Sequence, residues 1–284
     1  MSTLYLVATP IGNLEDISAR ALRLLREVRL IAAEDTRQTR KLLNHFGIRT
    51  PLCSYHEHNK LTRLDAVLAA LAEGDVALVS DAGTPALNDP GYELTQAVLA
   101  VGHTVSPVPG PSAPVAALVA SGLPTDSFLY LGYLPRKPSE RQAFLKPVAH
   151  LPYTLIFLET PHRLLGALDD LRLVLGERAM AAARELTKLH EEIVRGPIGA
   201  VQDHFKNNPP RGEFTLVVAG AESVEAGRWP EDRLQAALQA RLQSGEPASQ
   251  IAATLAHEAG WPKKEVYRLL HTLKPSNSTH QEFS

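Results

Sequence analysis

The sequence predicts an α/β chain with a parallel five-stranded N-terminal sheet, a mixed second sheet and a small C-terminal helical module. Three observations predict it. Short apolar runs alternate with amphipathic segments over the first 120 or so residues; the pattern changes after Gly122; and a polar stretch near residue 225 precedes three short helical segments broken by Gly and Pro.

In the first part the apolar runs are Leu4–Ala8, Leu30–Ala33, Leu52–Tyr55, Val76–Ser80 and Thr104–Val108. Such continuous runs suit strands buried on both faces. Between the first two, Ile17, Ala21, Leu24, Leu25 and Val28 fall on one helical stripe, with Arg20, Arg23 and Glu27 off it. A further helix begins at Thr36, and Leu61–Ala72 and Tyr92–Val101 read as two more, with Gly74 and Gly102 where C-terminal caps belong. This domain is assigned to residues 1–122.

A second domain, 123–222, carries strand-like Phe128–Tyr133, Tyr153–Glu159, Ala179–Arg184 and Phe214–Ala219. Its helices are Ser139–Ala149, opened by a capping-box pattern at Ser139–Gln142, and Pro161–Leu175, with Thr160 as N-cap. The charged stretch Glu185–Gly196 reads as a strand or hairpin arm. The module, 229–274, consists of Glu231–Leu242, Ala248–Glu258 and Lys263–Leu273 and reads as a helix-turn-helix-like unit or a plain helical appendage. The tail, 275–284, is polar and expected to be disordered.

Composition narrows the function classes. A net charge of −2 speaks against a protein that coats naked nucleic acid. Local basic clusters remain, at Arg136/Lys137/Arg141/Lys146 and Lys263/Lys264/Arg268, and either taken alone reads first as a solvated helix face. The single cysteine, Cys53, rules out an internal disulfide and a multi-cysteine zinc site. Met1-Ser2-Thr3 runs into an apolar stretch without the basic segment of a secretory leader, and no apolar run is long enough for a bilayer. A cytoplasmic, non-membrane protein is expected.

Ligands of open parallel sheets bind outside the carboxyl ends of the strands. Four such ends carry unusual loops: Thr9-Pro10-Ile11-Gly12-Asn13, Glu34-Asp35-Thr36-Arg37, Asp81-Ala82-Gly83-Thr84-Pro85 with Asp89-Pro90-Gly91, and Pro109-Gly110-Pro111-Ser112. Glycine admits close backbone approach and proline pre-sets loop shape, although both also merely punctuate turns. No G-x-G-x-x-G, P-loop or G-x-S-x-G motif is present, so the usual dinucleotide, phosphate-cradling and hydrolase readings fail. His56-Glu57-His58 places its histidines on opposite faces of an extended segment, and no metal is expected.

At these loops the sequence resembles the ribosomal RNA small-subunit methyltransferase I family, of the tetrapyrrole-methylase-like (class III) S-adenosylmethionine-dependent enzymes. The resemblance rests on Leu6–Asp16, Ala33–Arg37, Tyr55–Asn59, Ser80–Pro85, Asp89–Gly91 and Pro109–Ser112. It continues through Leu134–Lys137, Glu159–Arg163, Ala183–Lys188 and Gly212-Glu213, covering about residues 3–220. Lys60 departs from the acidic residue that the pattern has there. The resemblance implies two α/β domains of tetrapyrrole-methylase type, with S-adenosylmethionine in the cleft between them. Pro10, Gly12, Asp81, Ala82, Gly83, Thr84, Pro85, Pro111 and Ser112 would line one side, and Tyr133, Glu159, Arg184 and Glu185 the other. It also implies methylation of the ribose 2′-oxygen of a cytidine in the decoding region of 16S ribosomal RNA, by a homodimer.

A ribose hydroxyl is a poor nucleophile, so a base is expected. Glu34, Asp35 and His56 are the candidates; Asp35 is equally well placed to cap the helix at Thr36, and Arg37 to pair with these acids or with a phosphate. Arg37, Arg136, Lys137, Lys263 and Lys264 are the candidate RNA contacts, on an assembled small subunit rather than free RNA. The alternatives are a tetrapyrrole or other small-molecule methyltransferase of the same fold, a non-catalytic RNA-binding or assembly factor, and, more weakly, a nucleotide hydrolase.

Overall fold

The first sheet, in a computed structural model that describes residues 2–56, 60–221, 229–243 and 246–273, has five strands. They are β1 (Thr3–Val7), β2 (Leu30–Ala33), β3 (Leu52–Ser54), β4 (Val76–Val79) and β5 (Thr104–Val108), in spatial order β3-β2-β4-β1-β5. All pairs are parallel, as their apolar runs predict. The crossovers are α1 (Ala19–Glu27), α2 (Thr36–His45), α3 (Lys60–Glu73) and α4 (Tyr92–Ala100).

Alternating strand residues send side chains to opposite faces. Val7, Ile31, Ala33, Ala77, Val79 and Val108 meet α1 and α2 on one face, while Leu4, Ala32, Val76 and Leu78 meet α3 and α4 on the other. The stripe expected on α1 is buried, and Ser18 caps this helix by accepting from the Ala21 N–H at 3.0 Å. Gly102 is left-handed after α4 (φ 83°); Gly74 is not in a left-handed conformation.

The second sheet comprises β6 (Phe128–Tyr133), β7 (Thr154–Glu159), β8 (Ala179–Arg184), β9 (Glu192–Pro197) and β10 (Phe214–Val218), in order β6-β7-β10-β8-β9. Only β6–β7 is parallel, so the sheet is mixed. The charged stretch after β8 resolves as a turn followed by β9, antiparallel to β8. One face packs on α6 (Pro138–Leu145), α7 (Leu164–Leu175) and α8 (Ile198–Asn207). The other is covered by α5 (Ala113–Ser121), through Ala117 and Leu118 against Ile156, Ala181, Ala183 and Val217. A helix that precedes residue 122 thus packs on the second sheet, and both sheets belong to one compact unit, Met1–Gly220.

Four local expectations are corrected. Helix α6 starts at Pro138 with Lys137 as N-cap and no side-chain cap, so Ser139 lies inside it and the capping box does not form. Thr160 and Pro161 belong to a turn, and α7 starts only at Leu164. Helix α8 has no counterpart among the expected helices, although Ile198, Val201, Gln202 and Phe205 are buried at helical spacing. Arg141, counted in a basic surface cluster, is instead buried; its Nε donates to Asp170 at 2.6 Å, and Gln142 donates to the other oxygen of that carboxylate.

The second unit, Ala221–Ser284, contains α9 (Glu231–Gln243), α10 (Ala248–Ala259) and α11 (Lys263–Leu273) around Leu234, Leu238, Ile251, Leu255, Val266 and Leu270. Gly260 ends α10 in a left-handed conformation (φ 64°), and the Trp261 indole donates to the Trp229 carbonyl at 2.8 Å. The expected tail 275–284 and the linker 222–228 lie outside the described residues.

Candidate active site

The loop after β4 is the hub of the rim. Thr9 and Gly83 exchange backbone hydrogen bonds of 2.9 and 3.0 Å, which ties it to the loop after β1. The Asp35 N–H donates to the Asp81 carboxylate at 3.0 Å and the Asp81 N–H to the Glu34 carboxylate at 3.2 Å, which ties it to the loop after β2. The Thr84 hydroxyl donates to the Pro111 carbonyl at 3.2 Å, which ties it to the loop after β5. All four loops singled out in the sequence meet here.

Above the hub lies a cleft of about 320 Å³ whose second wall is contributed by β6, β7, β8, β10 and the turn after β8. Backbone strain concentrates at its margins. The positive-φ non-glycine residues among those described are Ala86 and Asn88 in the β4 loop and Glu185 and Thr187 in the β8 turn; such conformations persist only where surroundings enforce them. Close approach is enforced by glycine as well. A Cβ on Gly132 in β6 (φ 65°) would lie 2.6 Å from the Asn88 amide, and one on Gly12 would lie 2.8 Å from the Leu186 carbonyl.

The cleft is acidic. Glu34, Asp81, Asp89, Glu185 and Glu213 line it, against one cation, Lys188, which is already bound to Glu185 at 2.8 Å. Burial pushes the Asp89 carboxyl up to about 6, aided by the charge of Glu34. Burial also raises Glu34 and Asp81 above the usual carboxylate range. Tyr130 is pushed to about 12, by burial first and then by Tyr133 and Asp89. Ile11, Leu87, Leu158 and Leu186 add apolar surface. Unneutralised carboxylates beside apolar walls suit a ligand that is positively charged and partly apolar, and repel a phosphate-bearing one. A sulfonium donor with an amino-acid ammonium fits that donor set. Among the described residues no His, Cys, Asp and Glu group could hold a metal ion, and no helix is long and apolar enough to cross a membrane.

The expected residues separate into distinct groups. Asp81, Ala82, Gly83, Thr84, Ser112, Tyr133, Glu185 and Glu34 line the cleft. Pro10 lies instead in an adjoining cavity of about 310 Å³, which shares Asp81 with the cleft. Pro111 contributes through its carbonyl, Pro85 is buried under the hub, and Gly12 packs against the β8 turn. Glu159 does not face the cleft: it is fully buried, accepts from the Thr160 N–H at 2.8 Å and pairs with Arg163. Arg184 is held by Glu192 at 2.6 Å.

Asp35 caps α2 by accepting from the Arg37 N–H at 2.8 Å and pairs with the Arg37 guanidinium at 2.7 Å, which holds its carboxyl down at about 2. His56 stands close enough to Glu34 to favour its ionised form; Glu57 and His58 lie outside the described residues. Arg136 is exposed, Lys137 pairs with Glu140 at 3.0 Å, and Lys263 and Lys264 are exposed at the start of α11 in the second unit. Asn88, Tyr130 and Leu158 are not among the residues the sequence points to, and Asp89 and Glu213 appear there only within motifs. Their shared signal is tertiary, since they come from four separate elements.

The family model for tetrapyrrole (corrin/porphyrin) methylases matches residues 3–202. The ribosomal RNA small subunit methyltransferase I of Halalkalibacterium halodurans is 47% identical over 277 residues, covering 95% of this chain and 94% of its own. That of Escherichia coli O157:H7 is 47% identical over 269 residues, covering 93% of each. Among solved structures, diphthine synthase aligns with a TM-score of 0.60 at 16% identity, over 77% of this chain and 90% of its own. The uroporphyrin-III C-methyltransferase of Thermus thermophilus, in complex with S-adenyl homocysteine, aligns with a TM-score of 0.53 at 21% identity, over 76% and 97%. The structural likenesses establish the tetrapyrrole methylase fold; with the full-length sequence matches, the chain belongs to the ribosomal RNA small subunit methyltransferase I family of tetrapyrrole methylases.

Proposed function

We propose that this protein transfers the methyl group of S-adenosylmethionine to the ribose 2′-oxygen of a cytidine in the decoding region of 16S ribosomal RNA. The observation that carries the reading is the cleft of unneutralised carboxylates bounded by the β4 hub. A cofactor bearing a sulfonium and an ammonium supplies the compensating positive charge, along with an electrophilic methyl group. Asp89 and Glu213 stabilise the cationic ligand, while the tyrosines and leucines exclude water around it. Glu34 lies at the rim with a raised affinity for protons and is assigned to accept the hydroxyl proton. Asp35 is assigned to shaping α2 and not to proton transfer, because its pairing with Arg37 makes it a weak base.

Arg136, Lys137 and the exposed Lys263 and Lys264 of the helical module are assigned to the RNA, presented on an assembled small subunit. A second copy of the chain is assigned to cover Val115 and Val119, which stand exposed one turn apart on α5. Cytoplasmic residence follows from the substrate. The test is to incubate the protein with methyl-labelled cofactor and small subunits, free 16S RNA or tetrapyrroles, then digest labelled RNA to nucleosides. Label on a cytidine ribose is the expected result. Label on a base or on a small molecule would reassign the substrate, and cofactor binding with no transfer would leave a non-catalytic RNA-binding factor.

A further inference from the structure

The two faces of the first sheet differ sharply in charge. Helices α1 and α2, which pack on one face, carry six Lys and Arg against one acid, whereas α3 and α4 on the other carry two against three. Two of the six are paired, Arg23 with Glu27 and Arg37 with Asp35, and the rest of the excess is not cancelled. Arg20, Arg26, Arg40, Lys41 and Arg49 are exposed and have no carboxylate within ion-pair distance among the described residues. Arg26 links the two helices by donating to the Phe46 carbonyl at 3.2 Å. In a chain of net charge −2, such a concentration marks a surface for a polyanion.

This surface opens onto the second cavity of the rim. Pro10, Leu14, Gln38, Lys41, Leu42 and Asp81 bound it, at about 310 Å³. The Lys41 ammonium, steadied by the Gln38 side-chain oxygen at 3.0 Å, stands at its edge, and Asp81 separates it from the acidic cleft. One wall is therefore cationic and apolar, and the other borders the carboxylates that suit the methyl donor. A nucleotide matches that gradient, with its phosphate toward Lys41, its base against Pro10, Leu14 and Leu42, and its ribose toward Asp81 and Glu34.

We propose that the cavity beside Lys41 receives the acceptor nucleotide, and that the α1–α2 face binds the phosphates of the RNA flanking it. The proposal rests on the assignment of RNA as substrate and adds a location that this assignment does not supply. Phosphate contacts contribute most of the salt-dependent affinity, about 0.7 in the slope of log K against log salt per contact for single strands.

The test compares the parent with the double variant R40E/K41E, with R20E/R26E, and with K206E on α8 as a control remote from this face. Affinity for a 16S RNA fragment is measured against salt concentration without turnover, alongside cofactor affinity by calorimetry and methyl transfer under steady state. The expected result for R40E/K41E is RNA affinity lower by at least about tenfold and a slope smaller by about 1.4. KM for RNA rises, while cofactor affinity stays that of the parent. R20E/R26E shows a smaller loss, and K206E none. Parent-like RNA binding by both double variants, in a preparation whose parent methylates RNA, overturns the docking face and leaves the assigned function standing. A parent that neither binds nor methylates RNA overturns both.

Discussion

Two groups of carboxylates, one buried and one ranging from half-buried to exposed, lie in the same compact unit and are treated in opposite ways. At the α6–α7 seam, Asp170 is held by Arg141 and Gln142, and Glu159 by Arg163 and a backbone N–H. Along the cleft, Glu34, Asp81, Asp89 and Glu213 lie near one another with no Lys or Arg in ion-pair contact among the described residues, although the charges of His56 and Arg37 reach Glu34 and Asp81. A buried charge matched inside the chain is a structural element, since removing its partner leaves an uncompensated ion. A group of like charges left unmatched costs stability in the empty protein, and that cost is relieved when a cation enters. The contrast separates residues that hold the fold from residues assigned to hold the ligand, although both are carboxylates.

Substitutions can break this contrast on either side. The largest effect is expected at Glu34: E34Q should lower kcat by about 10²–10⁴-fold with cofactor affinity retained, and flatten the acidic limb of the pH–rate profile. If E34Q keeps parental turnover, proton acceptance belongs to another group. At the seam, D170A should cost about 3–5 kcal/mol of unfolding free energy in urea titrations by stranding the Arg141 guanidinium. The double variant R141M/D170L should recover much of that loss, which a catalytic effect would not.

Asp89 sharpens the comparison through pH. Its folded value of about 6 stands above the ordinary 3.8, so the folded protein binds more protons than the unfolded chain between these values. The stability contribution is therefore full below the ordinary value and is lost as pH rises through about 6. In thermal melts without cofactor, D89N should match the parent near pH 4 and exceed it near neutrality. Cofactor binding carries the opposite sign, because a cation favours ionised Asp89. Affinity should tighten as pH rises through about 6 in the parent and vary less in D89N. The smallest effect is expected for D35A, a slightly lower melting temperature from the missing cap on α2, most of it restored by D35S.

Much of the architecture could be read from the chain because the central strands are apolar on both faces. Ile31, Ala32, Ala33 and Val76–Val79 leave no alternation to misread. The four rim loops were also visible, since glycine and proline mark them. Of the second wall only Tyr133 and Glu185 were legible, through the family resemblance, because Tyr130, Leu158 and Glu213 become neighbours only when β6, β7 and β10 assemble. Helix α8 escaped for a local reason: its ten residues follow Gly196-Pro197, which reads as the end of a strand and not as the approach to a helix. Glu159 and Arg184 carry the residue types expected of a binding site, yet Arg163 and Glu192 satisfy them within the wall. Residue type announces a charge; only the fold says whether something already answers it.

Gly132 and Gly12 bring the two walls together where any larger residue would collide with Asn88 or with the turn at Leu186–Lys188. The width of the cleft assigned to the methyl donor is therefore gauged by atoms the chain omits. Lengthening a loop would leave that gauge untouched, whereas a single added methyl group at either position would push the facing atoms apart and reset it.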